Sequence, residues 1–139
     1  MAQQAHPAKV VFGCVANAGR SQMAEAFFNA LADPARARAI SAGTRPDAAV
    51  LPEVVHAMDE RGLDISAATP QYLSTDITRD AHILITMGCG DECPLVPGVE
   101  RDDWPLDDPN GQQMETVRRI RYEIYKRVAE LVAERRWGK

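Results

Sequence analysis

The 139-residue chain has no apolar run approaching the roughly 20 residues that cross a bilayer, which excludes a helical membrane protein. Met1 to Lys9 lacks the apolar stretch of a secretory leader. Residues 1–8 are therefore expected to form a disordered lead-in, and 9–139 the folded domain, in the cytoplasm. No internal repeat, low-complexity tract or long linker divides that domain. No Gly-Lys-Ser/Thr follows the first strand signal, which argues against a nucleotide-binding loop. Only three cysteines are present, and the histidines His6, His56 and His82 are scattered. Cys89 and Cys93 lack Cys-x-x-Cys spacing, so no structural zinc site is expected. The net charge of -4 sets the long-range field against nucleic acid and anionic membranes, and a monomer is expected. In a reducing compartment a disulfide is transient, so the three cysteines point to chemistry rather than to staples.

What is present alternates between strand and helix signals. Val10 to Val15 reads as a buried β-branched strand. From Ser21 the period changes, and Met23, Ala24, Phe27, Phe28 and Leu31 share a helical face that Asp33-Pro34 ends. Ala37 to Ala42 is a weaker strand closed by Gly43. Pro52 to Arg61 reads as a helix with Val54, Val55 and Met58 inside and Gly62 as its stop. Ser74 to Asp80 holds a short helix, and His82 to Met87 is nearly all apolar, as a strand covered on both faces requires. Val99 to Trp104 gives a last short strand. Val117, Ile120, Ile124, Val128 and Leu131 keep helical spacing along a closing helix, whose charges from Arg118 to Arg136 read as a solvated face. This alternation predicts one α/β domain with a four-stranded parallel sheet, flanked by helices and joined by right-handed crossovers. Such sheets bind ligands where strand ends meet helix starts, which is where residues 14–21 lie.

That stretch reads Cys14-Val15-Ala16-Asn17-Ala18-Gly19-Arg20-Ser21. A loop between strand and helix aims backbone N–H groups into one hollow, so residues 15–20 are the expected oxyanion binders. The small residues Ala16, Ala18 and Gly19 let that backbone approach a ligand. Arg20 offers a planar fork to two oxygens. Cys14 then faces the central atom as a nucleophile. Helix N-termini and cations favour a thiolate, and a Ser21 hydroxyl donated to sulfur does the same. Asn17 is expected to hold the loop's shape. Cys89 follows the strand that ends at Met87, which puts it at the same sheet edge as Cys14. Two glycines flank it, as suits a segment that moves, and Cys93 lies four residues on, within reach on one helical turn. By itself, Asp107-Asp108-Pro109-Asn110-Gly111 reads as a solvated turn.

The run Asn17-Ala18-Gly19-Arg20-Ser21-Gln22-Met23-Ala24, together with Ser41-Ala42-Gly43 and the stretch from Gly88 through Asp108-Pro109, resembles the low-molecular-weight protein tyrosine phosphatase superfamily, and within it the arsenate reductase branch. The resemblance runs from Lys9 into the last helix and implies a flavodoxin-like fold. It implies that Cys14 attacks arsenate and that Cys89 then attacks Cys14, releasing arsenite. Cys93 finally moves the disulfide to Cys89–Cys93. An external reductant, thioredoxin or a small thiol such as mycothiol, resets the pair, with no bound cofactor. Only three residues separate Cys89 from Cys93, fewer than in the best-known thioredoxin-coupled members. The resemblance also makes Asp108 the general acid, with Asp107 as the alternative.

Glu25 and Asn17 match positions that bind potassium in some relatives. A further ligand position falls near Gln71, which carries no carboxylate, so a metal is left undecided. Tyrosine phosphatases of the superfamily carry a further Cys where this chain has Gly19, and aromatics that wall the pocket. Thr44 to Val50 and Asn110-Gly111 offer none. A non-enzymatic thiol sensor would need neither Arg20, Ser21 nor the acid loop.

Overall fold

The computed structural model describes residues 6–89 and 92–139. Residues 1–5 of the expected lead-in, and Gly90 beside Cys89, lie outside the described residues. The elements run β1 (Ala8–Cys14), α1 (Arg20–Leu31), β2 (Ala37–Gly43), α2 (Pro52–Asp59), α3 (Thr75–Thr78), β3 (Ile83–Thr86), β4 (Glu100–Asp103) and α4 (Met114–Glu134). All strand pairs are parallel, in the order β2-β1-β3-β4. Ala8, expected in the lead-in, already pairs with Ala37. Val15, expected in the first strand, lies beyond it, because its carbonyl accepts from Arg45 N–H instead of from a neighbouring strand. Gly43 belongs to β2 rather than closing it. The other expected elements recur with ends trimmed or shifted by one or two residues, as fraying ends do.

β1 lies at the centre, and its side chains alternate between two cores. Val10, Phe12 and Cys14 join α1, α2 and α4 residues in the larger core. Phe12 meets Phe28 edge-on at 6.0 Å and Trp104 at 5.7 Å. Each such ring contributes roughly 1.5–3 kcal/mol by leaving water. Val11 faces the opposite side with Leu84, Leu73, Cys89 and Cys93, where Ile77 of α3 and connecting segments complete a thinner cover. The edge strand β4, Glu-Arg-Asp-Asp, is charged and largely exposed, which discourages further strand addition.

The charges of α4 are not all solvated. Arg121 is buried, donating to Ala57 O at 2.7 Å and to Glu60 at 2.7 Å. Arg118 also grips Glu60, at 2.7 Å. Hydrogen bonds from these two guanidiniums pull the Glu60 carboxyl down to about 2. The α2–α4 seam buries an arginine because its partners are already in place.

Candidate active site

The loop after β1 turns its carbonyls outward. Cys14 O, Val15 O and Ala16 O accept from the N–H groups of Thr44, Arg45 and Asp47, and Ala18 O from Leu51. Gln22 Nε2 caps Asn17 O at 3.1 Å, and Gly19 O accepts from Met23 N–H inside α1. With its acceptors satisfied outside, the loop leaves N–H groups to face inward, and α1 begins with no side-chain cap. Asn17 makes the reversal at φ 52, a left-handed conformation that Asn tolerates. Gly43 lets the loop cross β2, since a Cβ there would collide with Val15 O.

The hollow is a cavity of about 90 Å³, the space of roughly three waters. Cys14, Val15, Ala16, Ala18, Gly19 and Arg20 line it, with Asp47, Leu51, Asp108 and Asn110. Asn17, expected among the oxyanion binders, does not line it. Its N–H is spent on Cys14 Sγ at 3.2 Å, and its side chain donates to Ser21 rather than lining the cavity. Ser21 is also behind the pocket, with Oγ 2.8 Å from Cys14 Sγ. The Gln71 N–H donates to Asn17 Oδ1, which forces Asn17 Nδ2 toward the hydroxyls of Ser21 and Ser41, at 2.8 and 3.0 Å. Ser21 therefore accepts from Asn17 and has its proton free for the sulfur.

Arg20 is 11% exposed at its side chain and reaches Leu106 O at 2.9 Å and Asp108 Oδ2 at 3.8 Å. Gly88, with φ 89, lies against it, and a Cβ there would collide with the guanidinium. That glycine makes room for Arg20, a reason beyond the mobility expected of the segment. Asp108 stands at the pocket mouth, whereas Asp107 pairs with Arg119 at 3.0 Å and does not line the cavity. No aromatic ring lines it.

Cys89 and Cys93 are joined in a disulfide, and Cys14 is a buried free thiol. The pair lies on the other side of the sheet from Cys14. A Cβ at Gly13 would sit 3.7 Å from Cys93 Sγ, on the face opposite the Cys14 side chain. Arg101 holds Cys93 O and Pro94 O at 3.2 and 3.0 Å, and Arg45 pairs with Glu92 at 3.0 Å.

Among the described residues, no group of three His, Cys, Asp or Glu side chains could hold a metal. The residues around Glu25 do not fit the potassium that the sequence left undecided. Ser41 Oγ donates to Glu25 at 2.7 Å, and Gln71 Nε2 donates to Ser41 O at 2.9 Å. Asn17 Oδ1 accepts from both Gln71 N and Gln22 Nε2. The oxygens a cation would use are occupied by N–H and O–H donors. Burial pushes the Glu25 carboxyl up, and the Ser41 hydrogen bonds offset part of that. Thr44, Arg45, Asp47 and Leu51, which anchor the loop, carried no recognisable signal in the sequence. His82 accepts from Lys9 N–H at 3.2 Å, and His56 pairs with Glu60, so both serve local structure.

The chain is similar to known proteins in sequence and in fold. A Halobacterium salinarum relative is 43% identical over 134 residues, covering 91% of this chain and 92% of its own. The glutaredoxin arsenate reductase of Synechocystis is 35% identical over 91% of this chain and 97% of its own. The structure of a thioredoxin-dependent arsenate reductase from Corynebacterium glutamicum superposes with a TM-score of 0.78 at 38% identity. It covers 94% of this chain, which spans 62% of that one. The sequence model of the low molecular weight phosphotyrosine protein phosphatase family matches residues 9–136, and the chain belongs to that family.

Proposed function

We propose that this protein is a cytoplasmic arsenate reductase that works through a relay of three cysteines reset by thioredoxin. The observation that carries the reading is the Cys89–Cys93 disulfide beyond the end of β3, with Cys14 a free thiol at the end of the neighbouring β1. A phosphatase needs Cys14 but no such pair.

In the proposed sequence, arsenate enters the cavity between the inward N–H groups and the Arg20 fork. The Cys14 thiolate forms a sulfur–arsenic bond, and an arsenate oxygen leaves as water with a proton from Asp108. The Cys89 thiolate attacks Cys14 Sγ. The electron pair of the sulfur–arsenic bond passes to arsenic, and arsenite leaves as Cys14–Cys89 forms. Cys93 then attacks Cys89 Sγ, freeing Cys14 and leaving the Cys89–Cys93 disulfide. Two electrons from a dithiol such as reduced thioredoxin restore the pair. Because Cys14 and Cys93 pack on opposite faces, Cys89 must cross the end of β1 during turnover.

The test is arsenite production with thioredoxin, thioredoxin reductase and NADPH, beside Cys14→Ser, Cys89→Ser and Cys93→Ser. Cys14→Ser is expected to fall to background, a loss on the order of 10⁴-fold or more. Cys89→Ser and Cys93→Ser are expected to stop cycling after at most one turnover. A Cys93→Ser protein that cycles at the parent rate overturns the relay. Turnover only with mycothiol or another small thiol, insensitive to Cys93→Ser, overturns thioredoxin as donor. Hydrolysis of small phosphate esters, which fit the same cavity, is expected as a slow side reaction.

A further inference from the structure

We infer that Gln71 stands in for a bound cation behind the oxyanion loop, so that the hydrogen-bond chain to Cys14 is complete without an ion. The inference rests on the oxyanion-loop reading of Cys14, not on which oxyanion is reduced.

The chain can be followed atom by atom. Glu25 accepts from Ser41 Oγ, and Ser41 Oγ and Ser21 Oγ each accept from Asn17 Nδ2. Ser21 then has its hydroxyl proton for Cys14 Sγ at 2.8 Å. Asn17 is the hinge of this chain, and two amides fix its orientation. The backbone N–H of Gln71 donates to Asn17 Oδ1 at 3.0 Å, and Gln22 Nε2 donates to the same oxygen at 3.2 Å. The Gln71 side chain adds a third tie, because Nε2 donates to Ser41 O at 2.9 Å. A carbonyl oxygen only accepts, so the orientation of that amide is fixed. A positive ion would gather these same oxygens by attraction. Here N–H donors carrying partial positive charge do so, beside the carboxylate of Glu25.

Gln71 is placed for this task by the sheet. Gly43 N–H donates to Gln71 O, and Leu73 N–H donates to Gly43 O, which lays residues 71–73 along the end of β2. A neutral donor suits the site because a second carboxylate beside Glu25 would repel it without a cation between them. Gln71 is thus a positioning residue for the nucleophile. It touches neither the cavity nor the thiol.

The experiment uses the oxidised full chain, in which the Cys89–Cys93 disulfide leaves Cys14 as the free thiol. It needs no arsenate turnover, so failure of the reductase reading and failure of this inference are distinguishable. Thermal midpoints and the rate of Cys14 alkylation by iodoacetamide are measured in potassium chloride and in tetramethylammonium chloride at matched ionic strength. The parent is expected to give the same midpoint and rate in both salts. A millimolar potassium site would instead raise the midpoint by roughly 9 °C at about 0.1 M potassium. Gln71→Asp is expected to alkylate about tenfold more slowly in tetramethylammonium and to recover, saturably, with potassium. Gln71→Ala is expected to lose the rate with no recovery by potassium. A purely structural role would not make the loss specific to one cation. A saturable response of the parent to potassium overturns the inference, and that arm needs no variant to fold. A Gln71→Ala protein that alkylates like the parent, or a Gln71→Asp protein indifferent to potassium, overturns it as well.

Discussion

Cys14 and the Cys89–Cys93 pair flank the same strand and are held in unlike ways. On the Cys14 side, three helices cover the sheet, and the loop's carbonyls from Cys14 to Gly19 each have a partner outside the cavity. On the other side, the disulfide rests on a smaller apolar cluster under the short α3 and connecting segments, where Leu95 is 83% exposed. The surface ion pair Arg45–Glu92 and the reach of Arg101 to two carbonyls add to its hold. The difference matches the tasks proposed for each. A group that stabilises charge must be in place before the substrate arrives, because reorganisation during the reaction would cost barrier height. A sulfur that must cross from one face to another has to leave its contacts cheaply, so a thin cover serves it.

The largest expected effect on this contrast comes from Arg20→Lys. A point charge cannot keep both Leu106 O and two oxyanion oxygens, so kcat/KM for arsenate should fall about 10²–10³-fold, with the disulfide chemistry of Cys89 and Cys93 untouched. Steady-state kinetics beside reduction of the oxidised pair by dithiothreitol would check this. An equal loss in both would break the separation of the two regions.

Next is the acid. Asp108→Asn should lower kcat by about 10²-fold, while Asp107→Asn should stay within about twofold. Asp108 faces Arg20 at the cavity mouth and Asp107 is engaged with Arg119. The reverse order would move the acid role to Asp107.

The third prediction probes the firm side from outside the cavity. Glu60 titrates near 2 when folded, below its ordinary 4.5, because Arg118 and Arg121 donate to its carboxylate. Its contribution is therefore present above pH 4.5 and lost as the pH falls from 4.5 toward 2. Glu60→Gln should unfold more readily than the parent at pH 7, with the gap closing as acid is added. Urea midpoints at several pH values would show it. A gap that widens in acid would contradict the seam described here.

The smallest effect is expected at Arg45→Ala. Both Arg45 and Glu92 are exposed, and such pairs contribute about 0.2–1 kcal/mol. Stability should move by no more than about 0.5 kcal/mol, and reduction of the disulfide by dithiothreitol by less than about twofold. A tenfold faster reduction would mean that this one pair, rather than the apolar cluster and Arg101, keeps the segment in place.

The alternation of strands and helices was legible because apolar periodicity depends on neighbours within one element. Val10 to Cys14, the Met23 to Leu31 face and the α4 spacing all follow from it. Cys14 and Arg20 were singled out because they lie within one short motif and line one cavity, whereas Asp108, whose turn by itself reads as solvated, was singled out only by the resemblance. Asn17 was placed among the oxyanion binders by its position in the loop, and the fold turned it around. Two of its partners, Ser41 and Gln71, come from other parts of the chain, 24 and 54 residues on, and no spacing within the loop announces that they meet it. Arg121 read as one more solvated charge for the same reason, since Ala57 lies in α2 and Glu60 just past its end.

The sequence alone determined the elements, the cysteine count and the chemistry available at one strand end. Those depend on residue type and on spacing of a few positions. The tertiary structure decided that Cys14 and Cys93 lie on opposite faces of β1 and that amides donate to Asn17 Oδ1 and Ser41 O behind the loop. Both outcomes depend on groups 30 or more residues apart meeting within about 3–4 Å, a distance set only when the sheet closes and its two cores pack.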